Sequence, residues 1–318
     1  MRRLAVLAAL LAALVLPASA APAAGTTFPP GFPTILDASL GTPVLGFGGS
    51  GKVHRTPVIL LHGNNDTPYP TACNPFGDVQ ALADHLLANG YAPSEVWALG
   101  YQGDQCDLAA DQTRRSAFAH STVANVPDLR AFVHAVLRYT GAKRVDIVGH
   151  SLGGTLAREW LRQDHAYHLV SHLVAIDSPN HGIVDCSPDP LNYFQLPVFG
   201  GFTPDSAVCV EYGAEDTAFL QALNRKETPA PTHYLAIRNA DTSFVYFSAQ
   251  DGFFAPVPAE DRTGAAHDFS RSAELHGKRA LNVSLTGQGR FDPILGTAHI
   301  GILNSPETWS LVTEFLSD

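Results

Sequence analysis

Short apolar segments alternate with amphipathic stretches along most of the chain. The apolar segments predict strands at residues 56–61, 96–99, 145–148, 173–176, 232–238 and 281–285. Apolar residues at helical spacing predict helices at 79–87, 127–141, 151–162 and 307–316, the second opened by Pro127 and closed by Gly141. Parallel strands need helical crossovers, so this alternation predicts an α/β fold whose mostly parallel sheet is covered by helices on both faces.

The first twenty residues have the pattern of a secretory signal peptide. Arg2-Arg3 precedes an apolar run at residues 4–16, Pro17 ends the run, and Ala18-Ser19-Ala20 is a cleavage signal. The run is shorter than the roughly 20 residues that a helix needs to cross a bilayer. We therefore expect cleavage near Ala20, secretion to the extracellular medium and no stable membrane insertion.

The stretch after the signal peptide is rich in proline and glycine. Residues 21–52 therefore predict an extended lead-in and not a second domain. Residues 53–318 then form the main domain, in which the alternating strands and helices lie.

The four cysteines are expected to form disulfides, because the predicted export places the protein in an oxidising compartment. They are Cys73, Cys106, Cys186 and Cys209, and four cysteines allow three pairings. We favour Cys73–Cys106 and Cys186–Cys209, since each of these pairs brackets one candidate loop region. No C-x-x-C or H-x-x-x-H spacing supports a zinc site, so the sequence predicts no metal.

The charge balance excludes some classes of partner. The chain has 30 acidic and 20 basic side chains, a net charge of −10. Binding to nucleic acid or docking on anionic lipid needs clustered positive charge, so both are disfavoured. The sequence contains no Gly-rich phosphate loop with a lysine and no dinucleotide fingerprint, so we expect no cofactor. We expect a monomer, and a structural calcium ion is left open.

The strongest chemical signal is a G-x-S-x-G pentapeptide at residues 149–153. It directly follows a predicted buried strand and directly precedes a predicted helix, which is the context that a serine nucleophile requires in this motif. A sharp turn there would present Ser151 and aim the helix N-terminus at developing negative charge. We predict Ser151 as the nucleophile and the Leu152 N–H as one oxyanion donor. A plain turn with a serine cap is the bland alternative.

A second loop lies where the first long strand ends. His62-Gly63-Asn64 follows residues 56–61, and ligands of such sheets bind at the carboxyl ends of the strands. We predict the Asn64 N–H as the second oxyanion donor. A tight turn that merely uses Gly63 is the alternative.

The remaining partners are a base and an acid, in the chain order Ser, acid, His. His299 lies shortly before the final predicted helix and is the predicted base, ahead of the other late histidines, His267 and His276. Asp241 follows the strand predicted at 232–238 and is the predicted acid, with Asp251 as its rival. A buried carboxylate at either place would orient the imidazole.

These motifs carry a resemblance to a known family. Leu61-His62-Gly63, residues 145–153, Ala240-Asp241 and residues 299–306 resemble the bacterial class 2 lipases of the α/β-hydrolase superfamily. The loop at 60–66 is also similar to secreted polyhydroxyalkanoate depolymerases. The resemblance implies an α/β-hydrolase domain at 53–318 and carboxylic-ester hydrolysis through an acyl-enzyme. It also implies the roles given above for Ser151, Asp241, His299, Asn64 and Leu152.

Two substrate classes stay open at this point. The first is acylglycerols or related esters, as for a triacylglycerol lipase or esterase, and the second is a polyhydroxyalkanoate or aromatic polyester. Residues 178–231 match neither family closely and are expected to help form the acyl site through loop insertions. Aromatic residues just after Asp241 would serve either substrate, or would pack in the core; they are Phe244, Tyr246, Phe247, Phe253 and Phe254. An inactive binding protein is disfavoured because nucleophile, acid and base are all available.

Overall fold

The centre of the molecule is a seven-stranded sheet. The computed structural model describes residues 27–64, 66–72, 79–103, 121–190, 192–196, 201–240, 260–267, 269, 271–286 and 298–317. Within them the strands are β1 (Leu45–Phe47), β2 (Val58–Leu61), β3 (Val96–Gly100), β4 (Val145–His150), β5 (Val170–Ile176), β6 (His233–Asn239) and β7 (Ala280–Leu285). The order across the sheet is β1-β3-β2-β4-β5-β6-β7. All neighbours are parallel except β1 and β3.

Helices connect and cover these strands. The helices of the described residues are α1 (Gln80–Ala88), α2 (Thr122–Thr140), α3 (Leu152–Asp164), α4 (Ala207–Tyr212), α5 (Ala218–Leu223), α6 (Ala298–Leu303) and α7 (Pro306–Phe315). Short 3₁₀ helices lie at Pro93–Glu95, Ala166–Leu169, Val184–Cys186, Tyr193–Gln195 and Asn224–Lys226. The α/β fold with a mostly parallel sheet and the six strands predicted from the apolar segments are confirmed.

Alternate residues of the central strands point into two separate hydrophobic cores. In β2, Ile59 and Leu61 pack on one face of the sheet, where they join α2 and α3 side chains. Val58 and Leu60 pack on the other face, with side chains of α1 and α7. All four β2 side chains are fully buried, as expected for a strand with both faces covered.

Part of the proline-rich lead-in contributes to the sheet and to its core. Residues Leu45–Phe47 pair antiparallel with β3 as an edge strand. Upstream, Phe28 and Phe32 stack at 4.8 Å between ring centroids, and Phe32 lies 5.0 Å from the Trp97 ring. The Pro- and Gly-rich composition indicated an extended segment, but the apolar residues within it are too few for the pattern to show where it packs.

The prediction that Pro127 opens a helix is wrong. Helix α2 begins at Thr122 and contains Pro127 inside it. Its start is held by the carboxylate of Glu211, which accepts hydrogen bonds from Ser121 Oγ (2.6 Å), Thr122 N (2.7 Å) and Val123 N (3.2 Å). These N–H groups have no acceptor within a helix, so a distant acceptor extends α2 upstream of the proline. That acceptor lies in α4 and leaves no local signal.

One predicted disulfide is confirmed. Cys186 and Cys209 are bonded, with their Cα atoms 5.5 Å apart. The bond joins the Val184–Cys186 turn to α4, both of which lie in the long connection between β5 and β6. Cys73 and Cys106 lie outside the described residues, so their pairing stays a prediction.

Helix α2 also carries a buried acidic side chain. Asp128 is 1% exposed, and its Oδ1 accepts a hydrogen bond from the Ala38 N–H of the lead-in at 2.7 Å. Burial, together with the nearby negative charge of Asp37, raises the pKa of Asp128 to about 7. The folded protein therefore keeps a proton that the unfolded chain releases near pH 4.

We expect this carboxyl to make stability fall as pH rises. Between about pH 4 and pH 7 the native state binds more protons than the unfolded state, so the free energy of unfolding decreases across that window and levels off above it. Asp128→Asn removes this ionisation. Relative to the parent it should gain roughly 2–4 kcal/mol between pH 4.5 and pH 8, measured by urea unfolding. Asp84→Asn, at an exposed aspartate of α1, is the control, and identical pH curves for parent and Asp128→Asn would contradict the expectation.

Candidate active site

Ser151 occupies a strained turn between β4 and α3. Its backbone has φ 50° and ψ −124°, a conformation that non-glycine residues rarely adopt. The Ser151 N–H donates to Ile176 O of the neighbouring strand at 2.8 Å, which fixes the turn to the sheet. Ser151 is 8% exposed. The strand–turn–helix geometry predicted from the pentapeptide is therefore present around this serine.

Small residues on both sides of Ser151 allow this turn to form. A Cβ added to Gly149 would lie 2.4 Å from the backbone carbon of Gly153. One added to Gly153 would lie 2.6 Å from His62 O. Both distances are shorter than real contacts, so the two glycines let the start of α3 pack against β4 and against the loop after β2.

His299 lies beside the turn that contains Ser151. It is in the first turn of α6 and is 7% exposed. His150, the residue before Ser151, donates from Nε2 to His299 O at 2.9 Å, and the two rings are 4.5 Å apart. The histidine that the sequence analysis selected as base is thus next to the serine that it selected as nucleophile.

The carboxylate that contacts the His299 ring belongs to Asp177. Nδ1 of His299 donates to Asp177 Oδ2 at 2.7 Å, and Asp177 is 3% exposed. The other oxygen, Oδ1, accepts from the Asn239 N–H at 3.1 Å. Asp177 follows β5 directly with φ 46°, and its own N–H donates to Ile237 O at 2.7 Å. Both carboxylate oxygens and the backbone of Asp177 are therefore held in place.

The sequence analysis did not select Asp177. Its signal was nevertheless present: an aspartate directly follows the predicted strand at 173–176, and parallel strands end at the same edge of the sheet. The predicted acid, Asp241, and its rival, Asp251, both lie outside the described residues, so that assignment stays a prediction. The other late histidines contact glutamates elsewhere: His267 contacts Glu215, and His276 contacts Glu227.

The loop after β2 approaches Ser151 closely. A Cβ on Gly63 would lie 3.1 Å from Ser151 Cβ and 3.2 Å from His150 Nδ1, so Gly63 lies against the turn. The neighbouring His62 ring is stacked on Tyr101 at 4.1 Å, which positions the loop. Leu152 is the first residue of α3, and its N–H has no acceptor within that helix. Of the predicted donors, Leu152 directly follows Ser151 in the chain, and Asn64 directly follows Gly63, the residue that lies against the turn.

A buried carboxylate, an imidazole and a strained serine at a helix N-terminus are the components of covalent acyl transfer. The carboxylate fixes the imidazole orientation, and the helix N-terminus favours negative charge beside the serine.

None of the helices in the described part of the chain has both the length and the apolarity to cross a membrane.

Comparisons with known proteins show the family and the fold of the chain. The family model of lipase (class 2) matches residues 55–252. Among solved structures, the mature form of a Bacillus licheniformis lipase has a TM-score of 0.52 at 17% identity, over 85% of this chain and 97% of that one. Aspergillus fumigatus lipase B has a TM-score of 0.51 at 18% identity, over 86% of this chain but only 56% of that one. These structures show the α/β-hydrolase fold. Because the family model covers more than half of the sequence, the chain belongs to the class 2 lipases and is a carboxylic ester hydrolase.

Proposed function

We propose that the protein is a secreted serine hydrolase that cleaves acylglycerols or related carboxylic esters through an acyl-enzyme on Ser151. The observation that carries the proposal is the buried Asp177–His299 pair, 2.7 Å apart, beside the strained Ser151 turn. An imidazole that donates from Nδ1 to a carboxylate carries its lone pair on Nε2, which is the atom that acts as base in a serine hydrolase.

The reaction follows from these positions. His299 takes the proton of Ser151 as Oγ attacks the ester carbonyl carbon, and the Leu152 and Asn64 N–H groups stabilise the oxyanion. Collapse of the tetrahedral intermediate breaks the bond to the alcohol, which leaves with the proton from His299. Water then attacks the acyl-enzyme with His299 again as base, and the acid product and free Ser151 are released. Asp177 holds the imidazole tautomer and stabilises the imidazolium.

We assign the acyl site to the connection between β5 and β6. This segment starts directly after Asp177, and the Cys186–Cys209 disulfide links two parts of it. Leu196 and Val210 on it are 52% and 50% exposed, although most large apolar side chains of the described residues are buried. Exposed apolar groups on the segment that adjoins the catalytic carboxylate suit an acyl chain or a lipid surface.

Export is supported by two features. The pattern of residues 1–20 is that of a cleaved signal peptide, and the Cys186–Cys209 disulfide suits an oxidising compartment.

A substrate panel tests the proposal. Purified protein is assayed on p-nitrophenyl butyrate, p-nitrophenyl palmitate, emulsified triglyceride and a polyhydroxyalkanoate film, with Ser151→Ala as the background. We expect hydrolysis of the soluble esters and of the emulsion. Release of hydroxy acids from the film alone would overturn the acylglycerol assignment in favour of a polyester depolymerase, and no hydrolysis of any ester would overturn the proposal altogether.

A further inference from the structure

The side chains of two histidines and a glutamate from three separate segments of the chain lie close together. They are His181, four residues after Asp177, Glu227, in the turn before β6, and His276, just before β7. One ligand-type atom of each lies within 4.8 Å of the others. The geometry points to a binding site for a zinc-type divalent cation, which would tie these three segments together.

The spacing of the ligand atoms suits zinc. Glu227 Oε2 lies 3.5 Å from His181 Nε2, and Glu227 Oε1 lies 3.4 Å from His276 Nδ1. Two ligands at about 2.0–2.1 Å from a tetrahedral zinc ion are about 3.3 Å apart. Imidazole and carboxylate donors together select zinc and neighbouring first-row metals over calcium, which prefers an all-oxygen site. Three protein ligands leave a fourth position for water.

His181 directs its Nε2 atom toward this cluster. Its Nε2 is buried and makes no hydrogen bond, and the residue is 9% exposed. Its other nitrogen, Nδ1, lies 3.2 Å from Glu215 Oε1 and 3.5 Å from the Asn224 side-chain nitrogen. Polar groups around the second ring nitrogen of a ligating histidine orient the ring.

Glu227 is held as a metal-ligating carboxylate would be. The His276 N–H donates to Glu227 Oε2 at 2.6 Å, which fixes the carboxylate. A carboxylate fixed beside two imidazole rings offers the oxygen ligand that complements their nitrogen donors.

The backbone around His181 is rigid, so the site is preformed. The neighbouring Asn180 accepts from Arg158 at 2.8 Å and donates to Ala273 O at 2.9 Å. The His181 N–H donates to Ser272 O at 3.0 Å. By contrast, the His276 side chain is 67% exposed, which leaves a path for a metal ion from solvent.

The competing occupant is a proton. A protonated His181 between Glu215 and Glu227 would balance the same charges without any metal. It would need no contribution from His276, whereas a metal would. This difference makes His276 the residue to change, and its exposure means that His276→Ala should fold.

The test is metal binding to the purified protein. After dialysis against EDTA, the protein is titrated with zinc against a chromophoric chelator, and bound metal is measured by elemental analysis. We expect one tight site per chain. Thermal unfolding should shift up by about 5 °C when free zinc exceeds Kd about 100-fold. His276→Ala and Glu227→Gln should each weaken binding at least about tenfold.

The control is His168→Ala, which removes an exposed histidine outside the cluster and should leave zinc affinity unchanged. Co²⁺ added to the parent should give the visible absorption of tetrahedral coordination, and His276→Ala should lack it. Absence of a tight site, or equal zinc affinity in the parent, His276→Ala and Glu227→Gln, would overturn the proposal and leave a protonated His181 as the explanation. None of these measurements depends on ester hydrolysis, so they are independent of the proposed function.

Discussion

Ser151→Ala should lower kcat/KM for a soluble ester roughly 10⁴- to 10⁶-fold, because it removes the atom that attacks the carbonyl carbon. Without Oγ no acyl-enzyme forms, and only weak stabilisation of a water-mediated reaction is left. Alanine keeps the Cβ atom that already tolerates φ 50°, so the turn should persist. The measurement is hydrolysis of p-nitrophenyl butyrate, with thermal unfolding to confirm a folded variant.

Ser310→Ala is the matched control, since Ser310 is an exposed serine whose Oγ donates only to Pro306 O within α7. It should retain full activity. Activity of Ser151→Ala within about tenfold of the parent would show that another residue is the nucleophile.

Asp177→Asn should reduce kcat about 10⁴-fold at neutral pH. The Asn239 N–H lies 3.1 Å from Oδ1 and would keep the amide oxygen on its side. The amide nitrogen would then face His299 Nδ1, where the carboxylate now accepts a hydrogen bond. An amide donor there selects the tautomer protonated on Nε2, and that tautomer cannot take the proton of Ser151.

The same substitution at the position selected from sequence is the comparison. Asp241→Asn should cost less than Asp177→Asn, with both variants checked for folding by circular dichroism. A larger loss for Asp241→Asn would show that the acid is the one predicted from the chain order and that Asp177 has a structural role. Reaction of each variant with a phosphonate ester should follow the same ranking, because phosphonylation of Ser151 also needs the base.

Local patterns were sufficient for the elements on which the site is built. Apolar runs located β2 and β4 to within two residues of their observed ends. The G-x-S-x-G pentapeptide placed Ser151 in the turn between β4 and α3, as the structure has it. His299 followed from its position before the last helix. In each case the signal lies within a few residues of the feature, and for this reason one sequence was enough.

Features that depend on distant contacts were missed. The start of α2 depends on Glu211, which lies about ninety residues downstream of Ser121. Asp177 was not selected, because the acid was sought after the strand at 232–238, whereas Asp177 follows the preceding strand and contacts His299. Both places end at the same edge of the sheet, so the chain order alone does not choose between them. The residues His181, Glu227 and His276 do not form a recognisable motif in the sequence. They lie on three separate connections, and only the fold brings them together.

The position of Asp177 affects how the acyl preference of this enzyme can change in evolution. Ser151 and Asp177 follow adjacent strands, and each is clamped by its N–H to the next strand, at Ile176 O and Ile237 O. The proposed nucleophile, Ser151, and the proposed acid, Asp177, thus both precede the connection at 178–232. Insertions, deletions or grafts within that connection can exchange one acyl preference for another without displacing the reacting groups. Variation in substrate range is therefore expected to accumulate in this part of the chain, while the lengths of β4 and β5 stay constant.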